Sequence, residues 1–347
     1  MGGAESALRV WPESNAALDA AAPWPGGVGG VRWCVDARLW APGRGEWDLV
    51  VALLPPSERD AVARFKFFAD RKRAVVSRLL QRRCAHEALG VAWVDVDIRR
   101  TAGRKPFEAR AARPQIRPNF NFNVAHEGDL VVLASDDAVL VGIDVSAPFE
   151  VRGSMGSFDE LRVSFGAQFT DDEWEVIQAA PDKVAAFRTQ WALKEAFTKA
   201  RGDGLGFDFA RVEFCACSAP RAAAAAPPSS GVAAWACGLV DGEVLEDWSF
   251  VVYELPRRHV VAVARGPADA VQDKVGEFRS TFGRPVGRDE LHRRLATTPP
   301  PFVSKHVRDL VPDDQRALYD EARAWSAGLA YDPDNAAAAA TFIPPWG

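Results

Sequence analysis

Three acidic residues sit where a charge needs a reason. Asp144 ends the apolar run Val141-Gly142-Ile143 and is followed by Val145. A carboxylate in such a run either caps a neighbouring turn or is kept for chemistry. Glu195 lies four residues before Lys199 in Trp191-Ala192-Leu193-Lys194-Glu195-Ala196-Phe197-Thr198-Lys199. On a helix those two share a face, and an exposed pair of this kind contributes only about 0.2–0.5 kcal/mol. Trp191 and Phe197 leave the helix little solvated surface here, which argues against a plain surface pair. Glu127 follows His126 directly, after a row of asparagines (Asn119, Asn121, Asn123). A lone histidine at a strand end serves structure as readily as catalysis, but this one stands in a polar cluster suited to a ligand. Arg100-Thr101-Ala102-Gly103-Arg104-Lys105-Pro106 is a basic turn. Backbone N–H groups and cations can together cup a phosphate, although charged turns are also common on ordinary surfaces. Taken together, these groups describe a magnesium site facing a phosphate pocket, because magnesium takes a few carboxylates plus substrate phosphates. No His/Cys cluster points to zinc or iron.

Strands and helices must position these groups. Ser57-Glu58-Arg59-Asp60 has the form of a capping box, with Val62, Phe65 and Phe68 following at helical spacing. A second helix is predicted from near Asp70 to Leu89, stopped by Gly90. Its apolar side holds Val75, Val76, Leu79 and Leu80, and its other side Arg71, Lys72, Arg73, Arg78, Arg82 and Arg83. From Asn119 to Val124 the chain alternates, with Phe120, Phe122 and Val124 on one face and the asparagines on the other. Leu130–Ala134 and Val139–Val145 are apolar runs joined by Asp136 and Asp137, which predicts a hairpin. The second half repeats the plan. Thr170 and Glu173 suggest a capping box, a helix over 171–180 passes Pro181, and a long helix runs from Asp182 to Arg201. Strands are predicted near Phe207–Cys215, Trp248–Leu255 and His259–Ala264. Helices then strands, twice, predict an α+β fold of two similar α/β halves. The predicted divisions are a disordered leader over 1–30, halves over 31–143 and 144–285, a flexible low-complexity loop over 216–234, and a C-terminal extension over 286–347 that loses periodicity.

Composition narrows the function classes. The 347 residues carry a net charge of −5. Between Glu58 and Arg117, however, sixteen Lys/Arg face seven Asp/Glu, a local +9 that leaves −14 elsewhere. A basic stretch in an acidic chain indicates a local anion site rather than nucleic-acid binding. Five scattered cysteines without a CxxC pair suggest neither zinc nor a disulfide framework. No stretch approaches the roughly 20 apolar residues of a membrane span and no secretory signal is evident, so a cytoplasmic enzyme is expected. The absence of a GxxxxGK[ST] loop counts against nucleoside triphosphate chemistry.

In these motifs the chain resembles the 4'-phosphopantetheinyl transferase superfamily, most closely the broad-range eukaryotic aminoadipate-semialdehyde dehydrogenase type. The resemblance rests on Asn123-Val124-Ala125-His126, Gly142-Ile143-Asp144 and Trp191 to Lys199, in order, with similarity from about Val31 to Ala264. It implies a pseudo-dimer with the active site in the cleft between its halves. It also implies transfer of 4'-phosphopantetheine from coenzyme A to a carrier-protein serine, leaving 3',5'-ADP, as in a holo-[acyl-carrier-protein] synthase. Asp144, Glu195 and Lys199 would be catalytic, with Asp144 and Glu195 binding magnesium and Glu127 a candidate third ligand. Arg73, the turn from Arg100 through Thr101, Ala102, Gly103 and Arg104 to Lys105, Asn123, Val124, Ala125, His126, Glu195 and Lys199 would hold coenzyme A. Ala125 replaces the usual serine, and Ser146 stands where bacterial surfactin-type enzymes have a second acid. An arginine expected before Phe65 falls on Ala61, leaving Arg59 or Arg64 as substitutes. Carrier domains of fatty-acid synthase, polyketide synthase or aminoadipate reductase are the implied partners, and a chain holding both halves can act as a monomer. The rival readings are a non-catalytic relative that binds coenzyme A or a carrier, and a different magnesium-dependent phosphotransferase.

Overall fold

The computed structural model describes residues 30–110, 117–148, 158–218, 231–297, 299–325 and 331–334. The first half contains β1 (Arg32–Asp36), α1 (Arg44–Ala52), α2 (Pro56–Ala63), α3 (Phe68–Leu89), the short β2 (Ile98–Arg100) and β3 (Pro106–Glu108), β4 (Asn121–Glu127) and β5 (Leu130–Asp136). Then come β6 (Leu140–Ser146), α4 (Phe158–Phe165), α5 (Asp171–Ala179), α6 (Lys183–Arg201), β7 (Val212–Cys217), β8 (Val232–Val240), β9 (Glu243–Val244), β10 (Ser249–Leu255) and β11 (His259–Gly266). The chain continues through α7 (Arg288–Leu295), β12 (Val303–Ser304), α8 (Val307–Leu310) and α9 (Arg316–Trp325). Among the described residues no helix is long and apolar enough to cross a membrane.

The architecture is α+β in two halves, each a sheet with one long helix laid on it. The first sheet has the order β12-β1-β5-β4 and the second β6-β11-β10-β8-β7, with β9 on β8. α3 packs on β4 and β5, burying Val75, Val76, Leu79 and Leu80. α6 packs on β6 and β11 through Ala192, Ala196 and Ala200. A third apolar cluster, including Val132, Ile143, Val251 and Val263, joins the two sheets.

Local chemistry explains most of the helix ends. Gly90 and Gly202 end α3 and α6 in the left-handed region, at φ 65° and 81°, where glycine bears no Cβ penalty. Thr170 and Glu173 form the predicted capping box on α5, and the Asp182 side chain caps α6 through the Ala185 N–H. The box at Ser57 does not form. α2 starts at Pro56, whose fixed φ suits the first helical position, and no side chain caps it.

The predicted hairpin between the two apolar runs is also not found. β5 already has β1 and β4 on its two edges. The Asp136 carboxylate accepts from the N–H groups of Ala138 and Val139 (3.0 and 3.1 Å), and this turn sends the chain to the second sheet, where β6 pairs with β11. The hairpin partner of β5 is β4, through a turn at Gly128, φ 56°.

The stretch beyond 285 is packed where loss of periodicity was expected. β12 pairs in parallel with β1, and Leu291, Phe302, Leu310 and Tyr319 are buried. Trp40 Nε1 and the Tyr319 hydroxyl both donate to the buried Glu46. β12 and the four-residue α8 are too short to show a period and are held by tertiary contacts, whereas the ten-residue α9 is amphipathic and its period went unrecognised in the sequence. The predicted leader, apart from Gly30, lies outside the described residues, as do 219–230 of the predicted loop; the flanks of that loop are strand β7, ending at Cys217, and strand β8, starting at Val232.

Candidate functional site

Asp144 comes from the middle of β6, Glu195 and Lys199 from α6. They meet because Gly142 lets the helix lie directly on the strand: a Cβ at 142 would stand 2.1 Å from the Ala196 carbonyl oxygen. Lys199 Nζ then lies 2.5 Å from Asp144 Oδ1 and 3.9 Å from Glu195 Oε2. Burial raises the Asp144 carboxyl above its ordinary range, with Lys199 pulling against it. Glu195 is raised by burial and, in smaller part, by Asp144. Burial alone would depress the Lys199 ammonium, yet Asp144, Glu195 and Glu127 hold it above its usual value.

Lys199 thus faces Asp144 and Glu195 and feels Glu127, which Arg188 also neutralises in part, and the all-oxygen donor set suits a hard dication. Among the described residues no group of three metal-type side chains is preassembled. Asp144 and Glu195 could hold such an ion with phosphate and water completing the shell. Glu127 lies near Asp144, but its Oε2 accepts from the Ala147 N–H at 2.9 Å and its carboxylate is also engaged by the Ser146 side chain. Ser146 turns its backbone carbonyl to Arg188 (2.5 Å).

Cations from the first half stand near this group, close enough that His126 feels the charge of Lys199. Arg73 donates to the Gly128 carbonyl (2.9 Å) and to Asp70. His126 is exposed beyond the buried Ala125, and its imidazole is held low, chiefly by desolvation and then by Arg73 and Lys199. Arg100 is also held low, by desolvation first and then by Arg78 and Arg104. Arg78 therefore belongs to this basic group, a member that the basic face of α3 already offered in the sequence. Arg59 and Arg64 are both exposed, but Arg59 caps the end of α1 through the Ala52 and Leu54 carbonyls, which favours Arg64 among the substitutes considered.

Other candidates are committed elsewhere. The asparagine row is buried, and Asn121 and Asn123 accept from the Val141 and Ile143 N–H groups, both at 3.0 Å. Their amides stitch β4 to β6 across the halves, a role that a polar alternation does not advertise. Val124 packs into the apolar cluster under α3. In the basic turn Arg100, Ala102 and Arg104 are exposed, whereas Thr101 and Lys105 are buried. Lys194, next to Glu195, is fully buried against Glu173 at 2.6 Å and donates to the Phe209 carbonyl. Burial raises the Glu173 carboxyl and lowers the Lys194 ammonium, each opposed by the other's charge. That pair went unrecognised in the sequence, although Glu173 was visible as a cap.

Residues 38–138 match the family model described as 4'-phosphopantetheinyl transferase, N-terminal, and residues 140–264 the model of the 4'-phosphopantetheinyl transferase superfamily. The L-aminoadipate-semialdehyde dehydrogenase-phosphopantetheinyl transferase of Mus musculus is 36% identical over 242 residues, 68% of this chain and 74% of that protein. A phosphopantetheinyl transferase of Thraustochytrium sp. is 36% identical over 189 residues, covering 52% and 64%. A 4'-phosphopantetheinyl transferase of Bacillus pumilus is 31% identical over 153 residues, covering 43% and 58%.

Proposed function

The chain belongs to the 4'-phosphopantetheinyl transferase superfamily, and on that footing we propose how its cleft performs the transfer. The enzyme moves 4'-phosphopantetheine from coenzyme A to a serine of a carrier domain. The serine oxygen bonds to the β-phosphorus, the pyrophosphate P–O bond breaks, and 3',5'-ADP leaves. The observation that carries the assignment of roles is the convergence of Asp144, Glu195 and Lys199.

Glu195, raised by burial, suits the acceptor of the serine proton, directly or through a water. Lys199 offsets charge on the phosphate as the leaving group separates. Arg73, Arg100, Arg104 and His126 hold the nucleotide phosphates from the opposite wall. Magnesium, held by Asp144 and Glu195 with Glu127 as third donor, supplies charge neutralisation for the pyrophosphate when bound. Most of the acceleration is then positioning and electrostatics.

The finer identity, a holo-[acyl-carrier-protein] synthase serving fatty-acid, polyketide or aminoadipate-reductase carriers, is part of the proposal; the name of the mouse relative favours the last of these. Both halves lie in one chain, which suits a monomer working in the cytoplasm. The test mixes the protein with coenzyme A, magnesium and apo carriers of each type, and follows carrier mass. Gain of one phosphopantetheine arm, blocked by EDTA, is expected. No gain on any carrier, or gain insensitive to EDTA, overturns the reading.

A further inference from the structure

Lys105 is the one lysine of the basic turn, and its ammonium does not face the cleft. It is 3% exposed. Nζ donates to the Val141 carbonyl at 2.7 Å and to the Lys199 carbonyl at 3.2 Å, and lies 5.7 Å from the Phe278 ring centre. Val141 sits three residues before Asp144 on β6, and Lys199 is in the last turn of α6. A single side chain from the first half therefore ties together the strand and the helix that carry the catalytic pair.

The rest of the turn is built to deliver that side chain. Thr101 and Arg104–Lys105 close a tight loop through three bonds: Arg104 N–H to the Thr101 carbonyl (2.8 Å), Thr101 N–H to the Lys105 carbonyl (3.0 Å), and Lys105 N–H to Thr101 Oγ1 (3.1 Å). Arg104 is held at φ 68°, a conformation that costs a non-glycine residue about 1–2 kcal/mol. Gly103 presses on the end of α6 so closely that a Cβ there would lie 1.8 Å from the Gly202 carbonyl oxygen. Late carbonyls of a helix have no partner of their own. Here Lys105 satisfies that of Lys199, and the Gln272 N–H satisfies that of Arg201 at 2.7 Å. No acidic partner accompanies the buried ammonium in these contacts, so its position is set by the two carbonyls.

We infer that Lys105 is a positioning residue for the transfer step and not a ligand of the coenzyme A phosphates. Its two carbonyl contacts fix the register of α6 on β6, and so the spacing of Lys199 from Asp144. The exposed cations of the same turn, Arg100 and Arg104, are left to meet phosphate. This rests on the transferase reading, and the wild-type assay checks that reading separately: a wild-type enzyme that fails to charge any carrier sinks the function, whereas the inference is judged on variants of an active enzyme.

The experiment measures kcat with saturating coenzyme A and apo carrier, together with the dissociation constant of coenzyme A by calorimetry, for wild type and Lys105→Met. Methionine keeps the stem and removes the donors. The expected result is a kcat lowered roughly 10–100-fold, with the coenzyme A dissociation constant within about twofold of wild type. Thr101→Val loosens the same loop while keeping Lys105, and answers the question if Lys105→Met does not fold; it should show the same split at smaller size. A coenzyme A dissociation constant raised tenfold or more with kcat near wild type would mark Lys105 as a phosphate ligand and overturn the inference. Wild-type values for both quantities in a folded Lys105→Met protein would overturn it equally.

Discussion

Gly142→Ala attacks the contact that brings Asp144 to Lys199. A Cβ at this position would stand 2.1 Å from the Ala196 carbonyl oxygen and 2.3 Å from the Ala200 nitrogen. Both atoms are helix backbone, which cannot rotate aside as a flexible side chain can. Restoring ordinary contact at 3.4 Å lifts α6 by about 1.3 Å at that point. Carried to the cleft, the shift stretches the 2.5 Å Lys199–Asp144 contact toward about 3.8 Å, near the outer limit of an ion pair. Misplacement by about 1 Å can cost up to 10²-fold in rate, so kcat should fall about 10- to 100-fold. The Michaelis constant for coenzyme A, whose proposed phosphate contacts lie on α3, β4 and the basic turn, should change little. Overpacking costs about 1–3 kcal/mol, so the variant should fold and melt somewhat lower. Gly166→Ala, with no atom within 4 Å of its added Cβ, is the control. Initial rates come from intact-mass analysis of an apo carrier at saturating coenzyme A and magnesium. A folded Gly142→Ala enzyme with wild-type kcat would refute the claim that this helix–strand approach sets the catalytic spacing.

Four further outcomes are expected. Glu195→Gln should abolish transfer yet leave a folded protein. Because burial raises the Glu195 carboxyl, the unfolded chain ionises first, and the folded state loses stability as pH climbs from about 4.3. In EDTA the variant should therefore melt above wild type at pH 7 and level with it below about pH 4; a lower melting point at pH 7 contradicts the sign. Lys194→Met leaves Glu173 buried without its partner and should cost about 3–5 kcal/mol in chemical denaturation, part of it recovered when Glu173→Gln removes the charge but keeps an oxygen for its N–H partners; a loss under 1 kcal/mol would mean the pair does not anchor α6. Glu127→Ala should shift the magnesium activation curve to higher concentration, and an unchanged curve leaves the ion to Asp144, Glu195, phosphate and water. Arg100→Ala with Arg104→Ala should raise the Michaelis constant for coenzyme A far more than that for the carrier, and the reverse pattern would move these arginines to the carrier interface.

The proposed catalytic acids were legible because their oddness is local. A carboxylate in an apolar strand and an acid–base pair on a bulky helix face both show within a few residues. The long helices were legible for the same reason, from their apolar spacing and terminal glycines. What stayed hidden depends on partners distant in the chain. An apolar run such as Leu140–Ser146 fits either edge of any sheet, and the Asp136 turn, not its own composition, sends it to β11. The asparagines alternate as a ligand-lined strand would, yet two of them accept from backbone N–H groups twenty residues on. Elements such as the two-residue β12 and the four-residue α8 are too short to carry a period and exist because β1 and α3 offer them surfaces.

The helix motif shows why chemistry and architecture are hard to separate in a sequence. Successive residues on a helix point about 100° apart, so Lys194 and Glu195 cannot both face the cleft. Lys194 turns inward to Glu173 and the Phe209 carbonyl, and Trp191 packs among Phe165, Phe187 and Phe209. Glu195 and Lys199, on the remaining face, are presented to Asp144. The aromatic and lysine positions of the motif thus orient the helix about its axis, and Gly142 and Lys105 fix its distance and register on the strand. Removing any one of these supports would leave Asp144, Glu195 and Lys199 chemically intact but no longer held at the spacing proposed for the transfer. Loss of activity in a variant of this motif therefore identifies a catalytic group only when folding and coenzyme A affinity are measured alongside the rate.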